Sequence, residues 1–256
     1  MKPFITIITL LLSCIVQAQN KDWIEVVYTV ETDFGIPSVT TSKLVFNNSE
    51  AYYVEGSRLP KASAQTNKKI NIQEDNNSTI NELFVTDLKN KKMLTKSKIG
   101  NSFYQAEEKL FPIDWQIDTN SKATILGYQC YKATGVFRGR QYTAWFTEEF
   151  PVKFGPWKLN GLPGLILEVS DAMGEVVFVA ERIENLKNSK PESFSTFTKH
   201  SDHKKVSLKE YVSICKKNNS TIFHAIIAKL PREAKITEIN ENDKPTGYEL
   251  KYEWEK

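Results

Sequence analysis

Apolar and polar residues alternate with a period of two through most of this chain, the pattern of strands with one face buried and one face wet. Residues 23–32 are rich in β-branched and aromatic side chains and predict a first strand, ended near Gly35 and Pro37. Residues 43–46 and 51–54 predict two more, and the short link 47–50 between them predicts a hairpin. Strand-like runs recur at 82–88, 92–97, 102–106 and 114–118, the spacing of a meander. Two longer strands follow at 128–137 and 140–147, joined across Arg138-Gly139, with Tyr142, Ala144 and Phe146 on one face of the second. Residues 165–169 and 175–182 predict a hairpin of buried strands, and 248–254 a last strand.

One segment breaks this rhythm. Ser207-Leu208-Lys209-Glu210 has the form of a capping box, in which side chains satisfy the first free amides of a helix. Leu208, Tyr211, Val212, Cys215, Ile222 and Ile226 continue it as a one-sided apolar stripe, which runs as one helix or divides into two at the polar patch 218–221, and which Pro231 ends. Residues 57–79 are mostly Lys, Asn, Ser, Gln and Asp, too polar to offset their ordering entropy, and predict a mobile loop. The fold expected is α+β: a large curved antiparallel β-sheet with one or two helices packed on it.

The start of the chain changes the picture of where this domain works. A basic Met1-Lys2 precedes an apolar run over 4–16, too short for a bilayer that needs about 20 residues, and Val16-Gln17-Ala18 offers the small residues of a cleavage site. Residues 1–18 therefore predict a signal peptide and 19–256 a single exported domain, periplasmic or extracellular. Leu11-Leu12-Ser13-Cys14 offers the alternative of a lipoprotein anchored at Cys14. No later stretch is long and apolar enough for a transmembrane span. A formal net charge of +3 over 256 residues argues against nucleic acid as a partner. After leader removal only Cys130 and Cys215 remain, a candidate disulfide in an oxidising compartment.

Candidate chemistry is sparse, and no catalytic residue, metal site or cofactor is expected. Arg138 and Arg140, with Lys132 and the tyrosines at 128, 131 and 142, offer planar guanidinium forks for an anion or peptide carboxylate, though charged hairpin ends look alike. Trp145, Phe154 and Trp157, with Leu162 and Leu165, suit either an apolar groove or packing beneath a loop. Around them Gly155, Pro156, Gly161, Pro163 and Gly164 predict a backbone scaffold, with positive φ at Asn160-Gly161 and at Gly164. Replacing Lys158 in that scaffold is expected to leave folding nearly untouched. His200 and His203 lie among lysines whose charge repels a cation, so a solvated linker is the reading there.

The blocks 127–133, 137–140 and 144–147, then Gly155-Pro156, then Gly161-Leu162-Pro163-Gly164-Leu165-Ile166, stand in the order of one known family. The chain resembles the GLPGLI family of exported Gram-negative envelope proteins, whose function is uncharacterised. The resemblance implies an envelope setting and, more distantly, a LolA-like half-barrel. The expectation is non-catalytic binding of an apolar or peptide-like ligand or a partner protein. The alternatives are a hydrolase using a late histidine or Cys130, and a structural or assembly accessory.

Overall fold

A computed structural model of the chain describes residues 22–35, 37–56, 59–60, 82–187, 202–227 and 247–255. The expected leader, Cys14, His200 and most of the 57–79 loop lie outside them. Strand β1 (Ile24–Asp33) is central, and the chain winds away from it through β2 (Pro37–Phe46), β3 (Glu50–Glu55), β5 (Glu82–Asp87), β6 (Lys92–Ile99) and β7 (Ser102–Lys109). The short β4 (Leu59–Pro60) pairs with β2, so part of the expected loop is bound to the sheet. The chain then resumes at the opposite edge with β8 (Gln116–Ile125). It returns through β9 (Tyr128–Phe137), β10 (Arg140–Thr147), β11 (Leu165–Asp171) and β12 (Val176–Asn185) to pair with β1. A last strand, β13 (Lys204–Ser207), joins β7 in parallel and leads into the helix α1 (Leu208–Ile227). The α+β reading is borne out, and of the one or two helices expected the described residues hold one.

This order requires strong curvature. Laid flat, β7 and β8 would stand roughly 45–50 Å apart at the usual strand spacing. The 110–115 link that joins them can reach at most roughly 25 Å. The sheet therefore curls until its far edges approach, while remaining open.

The curl also decides what fills it. Alternate residues project inward, so Ala133, Ala144, Val169, Phe178 and Val30 form one row across β9, β10, β11, β12 and β1. These positions are buried, and with Tyr28, Leu44, Tyr53 and Phe84 they belong to the main core. A smaller cluster of Trp23, Val45, Tyr52, Val54 and Leu83 lies on the other side of the sheet. Two turns are tight hairpins with positive φ at both central residues, Leu126-Gly127 (53° and 85°) and Arg138-Gly139 (45° and 86°), a backbone twist that matches the flanking strands. Asn47 closes a third by accepting the amides of Ser49 and Glu50 at 2.9 and 3.0 Å.

The capping serine behaves as expected, Ser207 Oγ accepting the Glu210 amide at 3.2 Å. Leu208 and Tyr211 pack with Ala106 of β7 and hold the helix on one end of the sheet. Residues 248–254 form no strand. Their alternation Tyr248, Leu250, Tyr252, Trp254 is real, but the amides of Leu250 and Lys251 both donate to the Arg138 carbonyl, at 2.9 and 3.0 Å, rather than to a ladder. No helix of the described residues is long and apolar enough to cross a membrane.

Candidate functional site

The Arg138-Gly139 turn lies against the terminal segment 247–255. A Cβ on Gly139 would stand 3.1 Å from Leu250 and 3.3 Å from Lys251, so the segment passes directly over the turn. Arg138 meets Glu108 of β7 at 2.6 Å, Glu253 at 3.0 Å and Glu249. Lys158 joins the same group, with its Nζ 2.7 Å from Glu108 and 2.9 Å from Glu249. Arg140 donates to Asp171 at 2.6 Å, to Glu175 at 2.8 Å and twice to the Gly247 carbonyl at 2.9 and 2.7 Å. Burial alone would raise the Glu249 carboxyl, but the charges of Lys158 and Arg138 outweigh it and hold that group below the usual carboxylate range. Lys158, which burial would lower, is instead raised by Glu249 and Glu108.

Two expectations are corrected here. Arg138 and Arg140 do not face solvent as an open anion fork; both are buried and their donors are taken by the chain's own carboxylates and a carbonyl. Lys132, half-buried on β9, is not among their partners. Lys158 is no surface residue, because its side chain is only 3% exposed between two carboxylates.

The expected aromatic wall is divided. Phe154, Leu162 and Leu165 are buried in the main core and Trp145 packs against it, which is the packing alternative rather than the groove. Trp157 differs. It holds φ +56°, unusual for a bulky residue, and its ring stands 5.1 Å from Tyr248 and 5.7 Å from Phe137. Beside it opens a cavity of about 790 Å³. Phe84 and Thr95 reach it from the sheet, Tyr211 and Asn219 from α1, and Tyr248 and Tyr252 from the terminal segment. The cavity also takes in Glu82, whose carboxylate accepts the Tyr211 hydroxyl at 2.5 Å, while Ser97 lies 2.9 Å from that hydroxyl. Thr95, 1% exposed, has a buried Oγ1 with no hydrogen-bond partner among the described residues.

The scaffold glycines act differently from expectation. Gly161 does hold positive φ, +101°, but Asn160 does not, and Gly164 has no positive φ. Gly164 is needed for approach instead, since a Cβ there would stand 2.1 Å from the Thr147 carbonyl oxygen. At Gly155 a Cβ would lie 2.7 Å from Ile166 and 2.8 Å from the Leu159 carbonyl.

The expected disulfide is absent, because Cys130 and Cys215 are both free. Cys130 sits in the main core on β9, while Cys215 packs with the α1 cluster on β7, so different parts of the sheet hold them. Burial pushes each thiol up to about 11. Relative to an ordinary value of 9.0, that lowers the thiolate fraction at neutral pH by about a hundred-fold. Protein lacking residues 1–18 is therefore expected to react slowly with a thiol reagent while folded, faster as pH rises from 9 toward 11, and to titrate two thiols on denaturation without reductant. A nucleophilic role for Cys130 is disfavoured by the same burial. His203 is set edge-on to Phe103 at 5.6 Å and does not line the cavity. Among the described residues no group of three or more His, Cys, Asp or Glu is placed to hold a metal ion.

The family described as N-glycanase peptide, N-terminal domain, matches residues 36–211. The chain belongs to this family. Its sheet from β2 to β13 and the start of α1 make up the matched region, and the terminal segment 247–255 falls outside it. Two solved structures of PNGF-II, in the C2 and P21 space groups, share the fold. They superpose with TM-scores of 0.57 and 0.54 at 17% and 15% identity, each over 77% of this chain. The chain spans about a third of their length, 33% and 34%. No curated protein matches.

Of the residues that shape the cavity and the ion network, sequence reasoning had singled out Arg138, Arg140 and Trp157. Glu108, Glu249, Tyr248 and Thr95 were missed. A signal was present for Tyr248, whose alternation with Leu250 and Tyr252 marks a half-buried segment; nothing local marks Glu108 or Thr95.

Proposed function

We propose that this chain is a non-catalytic binding module of the cell envelope, and that a glycan-bearing peptide sits in the cavity beside Trp157. The observation that carries this reading is the buried, unpartnered Thr95 hydroxyl in the lining of a space of about 790 Å³. A hydroxyl without a partner costs about 1–3 kcal/mol; its oxygen is shielded from the empty cavity, so a ligand atom would satisfy it once the Thr95 side chain turns toward the space. The volume is that of a small-molecule site. Phe84, Trp157, Tyr211, Tyr248 and Tyr252 supply flat apolar faces for the C–H side of a sugar ring or a peptide, and Glu82 and Asn219 supply groups for hydroxyls.

Membership in a family named for the N-terminal domain of an N-glycanase supports both parts of the reading, the ligand class and the accessory role. The leader expected over 1–18 and the GLPGLI-like blocks, which fall inside the matched region, support the envelope setting.

The test is titration of an N-glycopeptide, with its unglycosylated peptide as control, followed by calorimetry or tryptophan fluorescence. Thr95→Val should leave the melting temperature unchanged or higher, because it removes an unsatisfied hydroxyl, yet weaken glycopeptide binding about ten-fold. A glycopeptide that binds no better than its control removes the glycan from the proposal. A Thr95→Val protein that binds like wild type removes the cavity.

A further inference from the structure

The terminal segment fills its place in the way a bound peptide does. Residues 247–253 contribute two carbonyls, two amides and two carboxylates to a receptor made by the rest of the chain, the second carbonyl being that of Tyr248, which accepts the Tyr142 hydroxyl at 3.3 Å. Arg140 clasps the Gly247 carbonyl, the Arg138 carbonyl accepts from Leu250 and Lys251, and Arg138 with Lys158 holds Glu249 while Arg138 also takes Glu253. Tyr248 meanwhile seats its ring against Trp157 and Phe178, at 5.1 and 5.8 Å. An aromatic anchor flanked by backbone bonds and charge-assisted pairs is the anatomy of peptide recognition.

Charge separates receptor from occupant. Without the segment, Arg138 and Lys158 would face Glu108 alone, leaving one buried positive charge in excess. With it, Glu249 balances that charge inside the group and Glu253, 41% exposed, adds a second carboxylate at its rim. Buried charge pairs of this kind add little stability over apolar packing, so their selective value lies in choosing an occupant. Glu108, Arg138, Arg140 and Lys158 lie within the matched region 36–211, and 247–253 lie outside it.

We propose that Arg138, Arg140 and Lys158 form a receptor for an extended acidic peptide carrying an aromatic residue, and that the chain's own Gly247–Glu253 stretch is its built-in, displaceable occupant. A partner protein presenting a similar acidic aromatic strand takes that place. Displacement would also remove Tyr248 and Tyr252 from the cavity wall, so partner docking and access to the cavity are coupled. The inference concerns the groove over the Arg138 turn and stands whatever ligand the cavity takes.

The test uses the full chain and a labelled synthetic peptide with the sequence of residues 247–256. In wild type the tethered segment competes at an effective concentration on the order of millimolar, so free peptide should bind weakly. Replacing both Glu249→Gln and Glu253→Gln weakens the tethered occupant, and peptide affinity should rise about ten-fold; a peptide with glutamine at the positions of Glu249 and Glu253, its third glutamate at 255 kept, should gain nothing. Hydrogen exchange on the wild-type chain covers the case in which the variant does not fold. Millimolar acidic peptide should speed exchange of the Leu250 and Lys251 amides and leave the β9–β10 ladder unchanged. Equal binding of the glutamine peptide, no gain in a variant that melts like wild type, or terminal amides indifferent to added peptide would each overturn the proposal. None of these results bears on glycopeptide binding to wild type, so the two readings fail separately.

Discussion

Arg138→Met is expected to lower stability by about 3–5 kcal/mol, the usual cost of removing one partner from a buried ion group. The side chain is 2% exposed and serves Glu108, Glu249 and Glu253 together. Its loss leaves Lys158 alone against Glu108 and Glu249, which are nearly as buried. The position adds to the effect, because Glu108 stands on β7 and Arg138 on the turn of β9 and β10, strands that the curl of the sheet brings together. The pair thus fastens one end of the sheet to the other. Lys158→Met should cost somewhat less, since Arg138 still faces the same carboxylates. For a domain of this size the Arg138 change should lower Tm by roughly 10 °C, measured by circular dichroism or calorimetry. A double-mutant cycle with Glu249→Gln should recover part of the loss. Shifts within 2 °C for both single variants would mean that water reaches the group.

The same carboxylate predicts an acid dependence. Glu249 faces Lys158, Arg138 and the Tyr252 hydroxyl, with Glu108 and Glu253 sharing those cations. Its folded value lies below its unfolded value, so its contribution is complete above the unfolded carboxyl value of about 4.3. It disappears as pH falls through the lower, folded value. Loss of the terminal segment's hold, followed by hydrogen exchange of the Leu250 and Lys251 amides, should accordingly set in as pH falls past about 4.3 and deepen toward the folded value.

Gly164→Ala should be comparably severe, at about 3 kcal/mol or more, and for a reason unlike that at Gly161. A methyl group at 164 would stand 2.1 Å from the Thr147 carbonyl oxygen and 2.6 Å from its carbon. Both are backbone atoms at the end of β10, where Thr147 pairs with Leu165, so relief requires parting β10 from β11. At Gly161 the nearest atoms are at 3.8 and 3.9 Å on Trp115, and only the φ of +101° opposes a side chain. Gly161→Ala should therefore cost only about 1–2 kcal/mol. Chemical denaturation of the two variants distinguishes the causes; equal losses would mean that the turn conformation, not the close approach, governs both sites.

What could be read from the chain alone follows the range of each interaction. Strand alternation is written by neighbours two residues apart, and 128–137 and 140–147 match β9 and β10 residue for residue. The Arg138-Gly139 turn and the Ser207 cap are equally local, being matters of φ and of a side chain within reach of its own backbone. Weakly patterned strands were another matter. In β13 and the second half of β8, edge position leaves polar residues such as Lys204, Lys205 and Ser121 free to remain in a strand, so their sequence carries little sign of it.

Only the tertiary structure decided the fate of the charges and the close contacts. Arg138 and Glu253 are separated by 115 residues, and no periodicity links them. They meet because the curled sheet brings β7 beside the β9–β10 turn and the terminal segment crosses both. Lys158, written as an ordinary surface lysine between Trp157 and Leu159, becomes buried for the same reason. Gly164 looks like a turn glycine in the sequence, but its need is set by a carbonyl on a neighbouring strand. The alternation of Tyr248, Leu250, Tyr252 and Trp254 determined that this stretch would be buried on one side; whether it became a strand depended on which backbone groups stood opposite. The Arg138 carbonyl and the Arg140 guanidinium stood there instead of a ladder, and the segment became an occupant of the sheet rather than part of it.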